Sequence, residues 1–364
     1  MKNFSKKIEF HILQSFPVSC LNRDDVGSPK TAVIGGVTRA RVSSQCWKRA
    51  VRLSLHELGV KLGLRTKKIE QELTTIFEDK HLSPDDAEKG SKIIASKITD
   101  DTLVFISENE LYELANIYIN LKDSLRDREE SKEDNDIPKN KKNKKDKKDL
   151  IDRAIKNIEK RPIDALDIVL FGRMIAKAPN MNVEAASMFS HAISTHKVSS
   201  EIDFFTAMDD LQDEQQDEQG SAHMGMSEYN SATYYRYVCL DIEQLKDSFG
   251  DDEEQIKTAV SSFIKALFIA VPSARQNTMT AMCPWNYAKI LVREGQPIQL
   301  SFEKPVVKDL NGGFLSDSIK TLNESINQFE NNFGSLYRKK AEITFSQENN
   351  DSIDNIIERV LDAL

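Results

Sequence analysis

Between positions 21 and 52 the chain reads LNRDDVGSPKTAVIGGVTRARVSSQCWKRAVR, and its residue types suit the backbone of a nucleic acid. Gly27, Gly35, Gly36 and Pro29 permit tight turns between Arg23, Lys30, Arg39 and Arg41, so the loop can bring cations close to a phosphodiester chain. Beyond it Gln45, Lys48, Arg49 and Arg52 recur at i, i+3, i+4 and i+7 and share one face of a helix. Trp47, Val51, Leu55 and Leu58 form the apolar face. Ser43 and Ser44 precede the helix as hydroxyl N-caps, and the N–H groups that a helix start leaves free also favour phosphate. A lone basic stripe is usually only a solvated face, but the glycine loop and capping serines beside it favour the anion-binding reading.

Other reactive residue types point to less. No lysine follows the glycines in a P-loop order and GxGxxG is absent, so nucleotide hydrolysis is not expected. Asp24 and Asp25 near His11 have the elements of a metal-nuclease cluster, yet adjacent carboxylates tend to point apart and no second acidic pair completes the site. The plainer reading is that one aspartate caps a turn and the other pairs with Arg23 or Arg39. His191 and His196 are five apart and face opposite sides of a strand, so with His223 they read as hydrogen-bonded structural histidines. Cys20, Cys46, Cys239 and Cys283 fall in no metal-ligand spacing, and neither cofactor nor metal is expected.

The whole chain of 364 residues has a formal charge of −8, whereas residues 1–52 carry ten basic side chains against three acidic ones. A polyanion must therefore be met by this local patch and not by the overall field. No apolar run reaches the ~18 residues of a membrane span. The opening MKNFSKKIEF lacks a secretion-type apolar stretch, and the unpaired cysteines suit a reducing compartment, so a cytoplasmic protein is expected.

The elements that must position these groups follow from periodicity. Ile8 to Phe16 alternates as a strand that Pro17 should end, a loop leads to the helix after Ser43, and charged helical pattern runs from about Leu64 to Lys177. That stretch includes a low-complexity tract at 122–149. Strands are predicted at 188–198, at 231–240 after a hairpin-like acidic excursion, and at 288–300; a helix is predicted over 253–270 and a helical tail after 315. The order strand, helix, strand, strand, helix, strand is that of the α+β, ferredoxin-like (RRM-like) fold, here carrying large insertions.

At residues 21–52 the text resembles the CasC-type, crRNA-binding backbone subunit of the type I-E CRISPR Cascade complex. The resemblance continues in DIVLFGRM (167–174), SHAISTHKVSSEIDFFTAMDDLQ (190–212), QGSAHMG (219–225) and VPSARQNTMTAMCP (271–284), and more weakly in FEKPVVKDLNGGF (302–314). It implies a discontinuous palm at 1–63 and 181–315, a helical finger at 64–180, a thumb at 199–230 and a helical region at 316–364. It further implies guide-RNA contacts from Arg23, Lys30, Ser43, Gln45, Lys48 and Arg49, with Met174, Thr206, Met208 and Met224 near a displaced base. Such subunits polymerise head-to-tail along crRNA beside other Cascade subunits and present the guide to target DNA.

The resulting expectation is a non-catalytic RNA-binding scaffold. Its rival is an RNA-guided or RNA-processing ribonuclease on the same fold using Asp24 and Asp25. The finger's tract at 139–148 holds Lys139, Lys141, Lys142, Lys144, Lys145, Lys147 and Lys148, a candidate for sequence-independent contact with duplex DNA if it is more than a solvated spacer.

Overall fold

The structure, a computed structural model, describes residues 4–99, 102–130, 162–207, 223–308, 310, 312–349 and 351–364. The tract at 139–148 and Met208 lie outside the described residues, as do the side chains of Thr206 and Met224. The chain divides into two compact units, one of Met1–Leu58, Ser187–Ile242 and Val260–Leu364, the other of Gly59–Ala186 and Glu243–Ala259.

The first unit is built on an antiparallel sheet with helices against it. Strand β1 (Lys6–Ser19) lies at its centre between β9 (His223–Asp241) and β10 (Tyr287–Glu294), with Phe10 opposite both Val238 and Ile290. The order continues outward from β10 to β11 (Lys339–Ser346), and from β9 through β7 (Ala192–Ser194) to β3 (Val37–Val42) and β2 (Thr31–Ile34). Strands β6 (Ser187–Phe189) and β8 (Glu201–Ala207) also pair with β9.

One face of β1 places Ile8, Phe10 and Ile12 in the core, where the Phe10 ring meets Phe263 edge-on at 6.2 Å. Phe263 belongs to α7 (Glu253–Ile269), and helix α1 (Ser44–Glu57) buries Trp47, Val51 and Leu55. The opposite face carries Leu13, Tyr235, Tyr237 and Tyr287, covered by Leu300, Phe302 and by Leu322 and Ile326 of α9 (Leu315–Phe333). Polar Glu9 and His11 are therefore buried too, contrary to the half-exposed strand their alternation suggests. Glu9 ion-pairs with Arg293 and accepts from Tyr237, and His11 Nδ1 meets the Tyr235 hydroxyl at 2.9 Å, while His11 Nε2 is buried without a hydrogen-bond partner among the described residues. Helices α8 (Gln276–Met279) and α10 (Ile353–Asp362) complete this unit.

Four sequence-based expectations change. Pro17 does not end β1 but sits where its register with β9 shifts, between Phe16 and Ser19, as suits a residue without an N–H to donate. The stretch 188–198 forms two short strands, both paired to β9. The tail after 315 is not wholly helical: Ala341, Ile343 and Phe345 alternate in β11, which pairs along β10. The glycine loop is a β2–β3 hairpin in which Ile34 opposes Val37 and Gly35 and Gly36 make the turn with φ of 60° and 74°.

In the second unit α2 (Ile69–Asp79), α3 (Pro84–Ile98) and α4 (Glu108–Glu130) pack Leu73, Phe77, Ile94, Leu111 and Leu114 into a core of their own. Strands β4 (Leu64–Thr66) and β5 (Val104–Ile106) form a two-stranded sheet, and α5 (Leu166–Phe171) and α6 (Ile242–Phe249) also belong to this unit. Arg173 joins Glu110 in a buried bidentate pair at 2.6 and 2.8 Å. Among the described residues no helix is long and apolar enough to cross a membrane.

Candidate nucleic-acid interface

Helix α1 begins where the loop at 20–30 folds back on the β2–β3 hairpin. The loop is held by backbone bonds from Asp24 N–H to Ser28 O and from Lys30 N–H to Asn22 O, each at 2.8 Å. The Asp24 carboxylate accepts from the N–H groups of Val26 and Ser28, both at 3.0 Å, and so serves its own turn. The second half of the plainer reading does not extend to Arg39. That guanidinium is buried and donates to the carbonyls of Ser194, Phe302 and Glu303 at 2.7, 3.0 and 3.3 Å.

Burial sorts the basic residues of the segment. Arg39 is withdrawn from solvent, and Lys7 pairs with Asp241 at 2.6 Å. Arg23, Gln45 and Arg49 are exposed, Lys30, Arg41 and Ser43 partly so. Lys48 and Arg52 are half-buried, so the four polar positions of the helix are not equally presented. The Lys48 ammonium lies 5.9 Å from the Phe189 ring centroid, and burial draws its pKa down. Leu58, expected in the core, is the helix's C-cap and is exposed.

The helix start is also more occupied than its position in the sequence implies. Asn22 Oδ1 accepts from Ser43 N–H at 2.9 Å, His191 Nδ1 from Ser44 N–H at 3.1 Å, and Ser43 Oγ from Cys46 N–H at 3.3 Å. Three of the early donors are thus taken by side chains, and anion attraction falls to the cations around them.

Those cations converge. Partial burial, and then Arg41 and Lys30, push the pKa of the His191 imidazole down. Lys30 and Arg49 act on the Cys46 thiol, whose pKa is raised chiefly by burial. Arg23 shares the surroundings of Cys20 with Arg275. Arg275 donates to Ser227 at 2.7 Å and to the Tyr229 hydroxyl at 3.1 Å, at the root of the β8–β9 hairpin. The tertiary structure therefore brings Lys30 and Arg49 together, as the sequence suggested, and adds Arg41, His191 and Arg275. Of these only Arg41 carried a usable sequence signal, a cation two residues before the N-cap.

His196 is structural, while the side chain of His223 lies outside the described residues. His196 joins Lys197 O through Nδ1 at 2.8 Å and Thr233 N–H through Nε2 at 3.1 Å, and stacks on Phe314. Among the described residues no group of His, Cys, Asp and Glu is arranged to hold a metal.

The β8–β9 hairpin pairs Glu201 with Tyr229 through Ala207 with His223. It leaves Ile202, Phe204 and Met226 exposed, an apolar surface the sequence reading did not single out. Met174, in the second unit, is 83% exposed and so is not core packing.

Solved structures share this architecture. A chain described as "CRISPR RNA-guided surveillance complex, pre-nicking" is similar with a TM-score of 0.77 and 28% identity, covering 98% of this chain and 99% of that one. Another, described as "CRISPR RNA-guided surveillance complex", matches the fold with a TM-score of 0.60 at 24% identity, over 98% of this chain and 99% of that one. The family model described as CT1975-like protein matches residues 8–363, and the chain belongs to that family. No curated protein matches the sequence.

Proposed function

We propose that this chain is the CasC-type, crRNA-binding backbone subunit of a type I-E Cascade complex. It grips the guide's sugar–phosphate backbone through Arg23, Lys30, Ser43, Gln45, Lys48 and Arg49, polymerises head-to-tail with copies of itself beside other Cascade subunits in the cytoplasm, and presents the guide to target DNA. The observation that carries this reading is that Lys30 and Arg41, joined by a backbone bond from Arg41 N–H to Lys30 O at 2.8 Å, lead into α1 with its exposed Arg49, in a chain of net charge −8. The likeness to a CRISPR RNA-guided surveillance complex chain supports it.

The palm is read as ferredoxin-like, because β10, β1, β9 and the β6–β7 pair stand side by side with a helix between the first and second and between the third and fourth strands of the chain. RNA-recognition folds commonly stack bases on the open sheet face, but here Tyr235 and Tyr237 lie beneath Leu300 and Phe302. Contact with the backbone beside α1 is the recognition mode that remains. Asp24 and Asp25 are given no catalytic role, since Asp24 is engaged in its own turn. The thumb at 199–230 is assigned to a neighbouring copy's RNA, with Met174, Thr206, Met208 and Met224 near the displaced base. The lysines at 139–148 are assigned to duplex DNA.

The test is to express the chain with a repeat-derived RNA, sequence the nucleic acid that copurifies, and size the particles before and after ribonuclease. RNA-dependent oligomers carrying guide sequence are expected. A monomer free of RNA, or metal-dependent cleavage lost on Asp24→Ala with Asp25→Ala, would overturn the reading.

A further inference from the structure

We propose that His191 is a further contact to the nucleic-acid backbone, donating a hydrogen bond from Nε2–H as a neutral imidazole. This rests on the reading that the surface beside α1 binds RNA. The geometry fixes which nitrogen carries the proton. Ser44 N–H donates to His191 Nδ1 at 3.1 Å, and a neutral imidazole that accepts at one nitrogen bears its hydrogen on the other. Among the described residues Nε2 of this exposed ring has no partner, whereas both nitrogens of His196 are engaged.

The groups facing the ring are Ser44 of α1, Arg41 of β3 and Lys30 of the preceding loop, and the two cations disfavour a third positive charge there. His191 therefore contributes a neutral donor among cations. Capping alone needs only an acceptor, which Asn22 and Ser43 supply for the neighbouring N–H groups. An imidazole caps and also presents a donor to the solvent side. The acceptor it fits is an oxygen of the sugar–phosphate chain, either a phosphate oxygen or a ribose 2′-hydroxyl.

The experiment measures binding of the full chain to a single-stranded RNA and to the 2′-deoxy strand of the same sequence across a salt titration. The variants are His191→Ala, His191→Asn, and Lys48→Gln with Arg49→Gln as control. His191→Asn keeps an acceptor for Ser44 N–H but no donor at the distal position. Both His191 variants should bind RNA on the order of tenfold more weakly. The salt slope should stay unchanged, because a neutral donor releases no counterion. Loss on both strands identifies phosphate as the acceptor; loss on RNA alone identifies the 2′-hydroxyl. Parental affinity in His191→Asn overturns the proposal, as does a loss accompanied by a shallower slope, which would mean that α1 and its cations had loosened. If the lysine–arginine control also binds as the parent does, the fault lies with the RNA-binding reading of this surface.

Discussion

The guanidinium carbon of Arg236 lies 3.5 Å from the centroid of the Trp47 indole, a stacked cation in the core beneath α1. Its Nη1 donates to Gln14 at 2.6 Å, while Nε and Nη2 have no hydrogen-bond partner among the described residues. Burial lowers its pKa to about 9, so it remains charged at neutral pH, with no carboxylate hydrogen-bonded to it among the described residues. Trp47→Ala should cost about 3–5 kcal/mol by emptying the space under the helix. Arg236→Met should cost less, because it relieves the buried charge while keeping apolar volume against the indole. Urea unfolding midpoints at constant m-value compare the two.

Arg49 is exposed and Lys48 is half-buried beside Phe189, so the two should differ in RNA binding. Arg49→Gln is expected to lower the magnitude of the salt slope by roughly 0.7 on a single strand, and Lys48→Gln by less. The losses should be alike for unrelated RNA sequences; a sequence-dependent loss in anisotropy titrations would contradict a phosphate contact.

His11 ties stability to pH. Leu300 N–H donates to the Tyr235 hydroxyl at 3.2 Å, which leaves that hydroxyl's proton for His11 Nδ1. Burial, with Arg293 and Lys289 nearby, lowers the His11 pKa from 6.5 to about 3. Unfolding between these values takes up a proton that the folded state excludes, so this group's contribution is complete above pH 6.5 and falls as pH drops toward 3. The loss approaches about 1.4 kcal/mol per pH unit. His11→Asn should flatten the stability profile across that window, as read by urea unfolding at successive pH values.

Glu9 and Arg293 form a fully buried pair at 2.6 Å between β1 and β10. Glu9 also accepts from Tyr237 and from Ile298 N–H, and Arg293 also donates to the carbonyls of Tyr337 and Gln296. Removing either partner strands the other, so Glu9→Gln or Arg293→Met should each cost about 3–5 kcal/mol. The double variant should cost clearly less than their sum, and a double-mutant cycle measures the coupling. Strict additivity would refute it.

Gly35 and Gly36 both turn the β2–β3 hairpin, yet their surroundings differ. A Cβ at Gly35 would stand 1.9 Å from the Glu303 carbonyl oxygen, whereas one at Gly36 meets nothing within 4 Å. Gly36→Ala should cost only the strain of a positive φ, about 1–2 kcal/mol. Gly35→Ala should cost more, because backbone at 303 must move. Thermal unfolding of the two variants decides the order.

Local pattern was enough for what local forces set. The alternation of Ile8, Phe10 and Ile12, the apolar stripe of Trp47, Val51 and Leu55, and the Ser43 cap all follow from side-chain period and from the unpaired donors of a helix start. So did the concentration of cations near α1, because charge is carried by residue type. Tertiary structure decided which of those cations face solvent. Arg39 and Arg41 stand two apart on one strand, but Ser194, Phe302 and Glu303 close over Arg39 and leave Arg41 beside His191. His191 reaches Ser44 across 147 positions, and β11 finds β10 across some fifty; no periodicity within either segment specifies its partner. The same holds for Glu9 and His11, polar residues that alternation places toward water and that Arg293, Tyr237 and Tyr235 make tolerable inside. Burying a polar strand face is decided by what folds over it, and that covering came from residues 298–326, far along the chain.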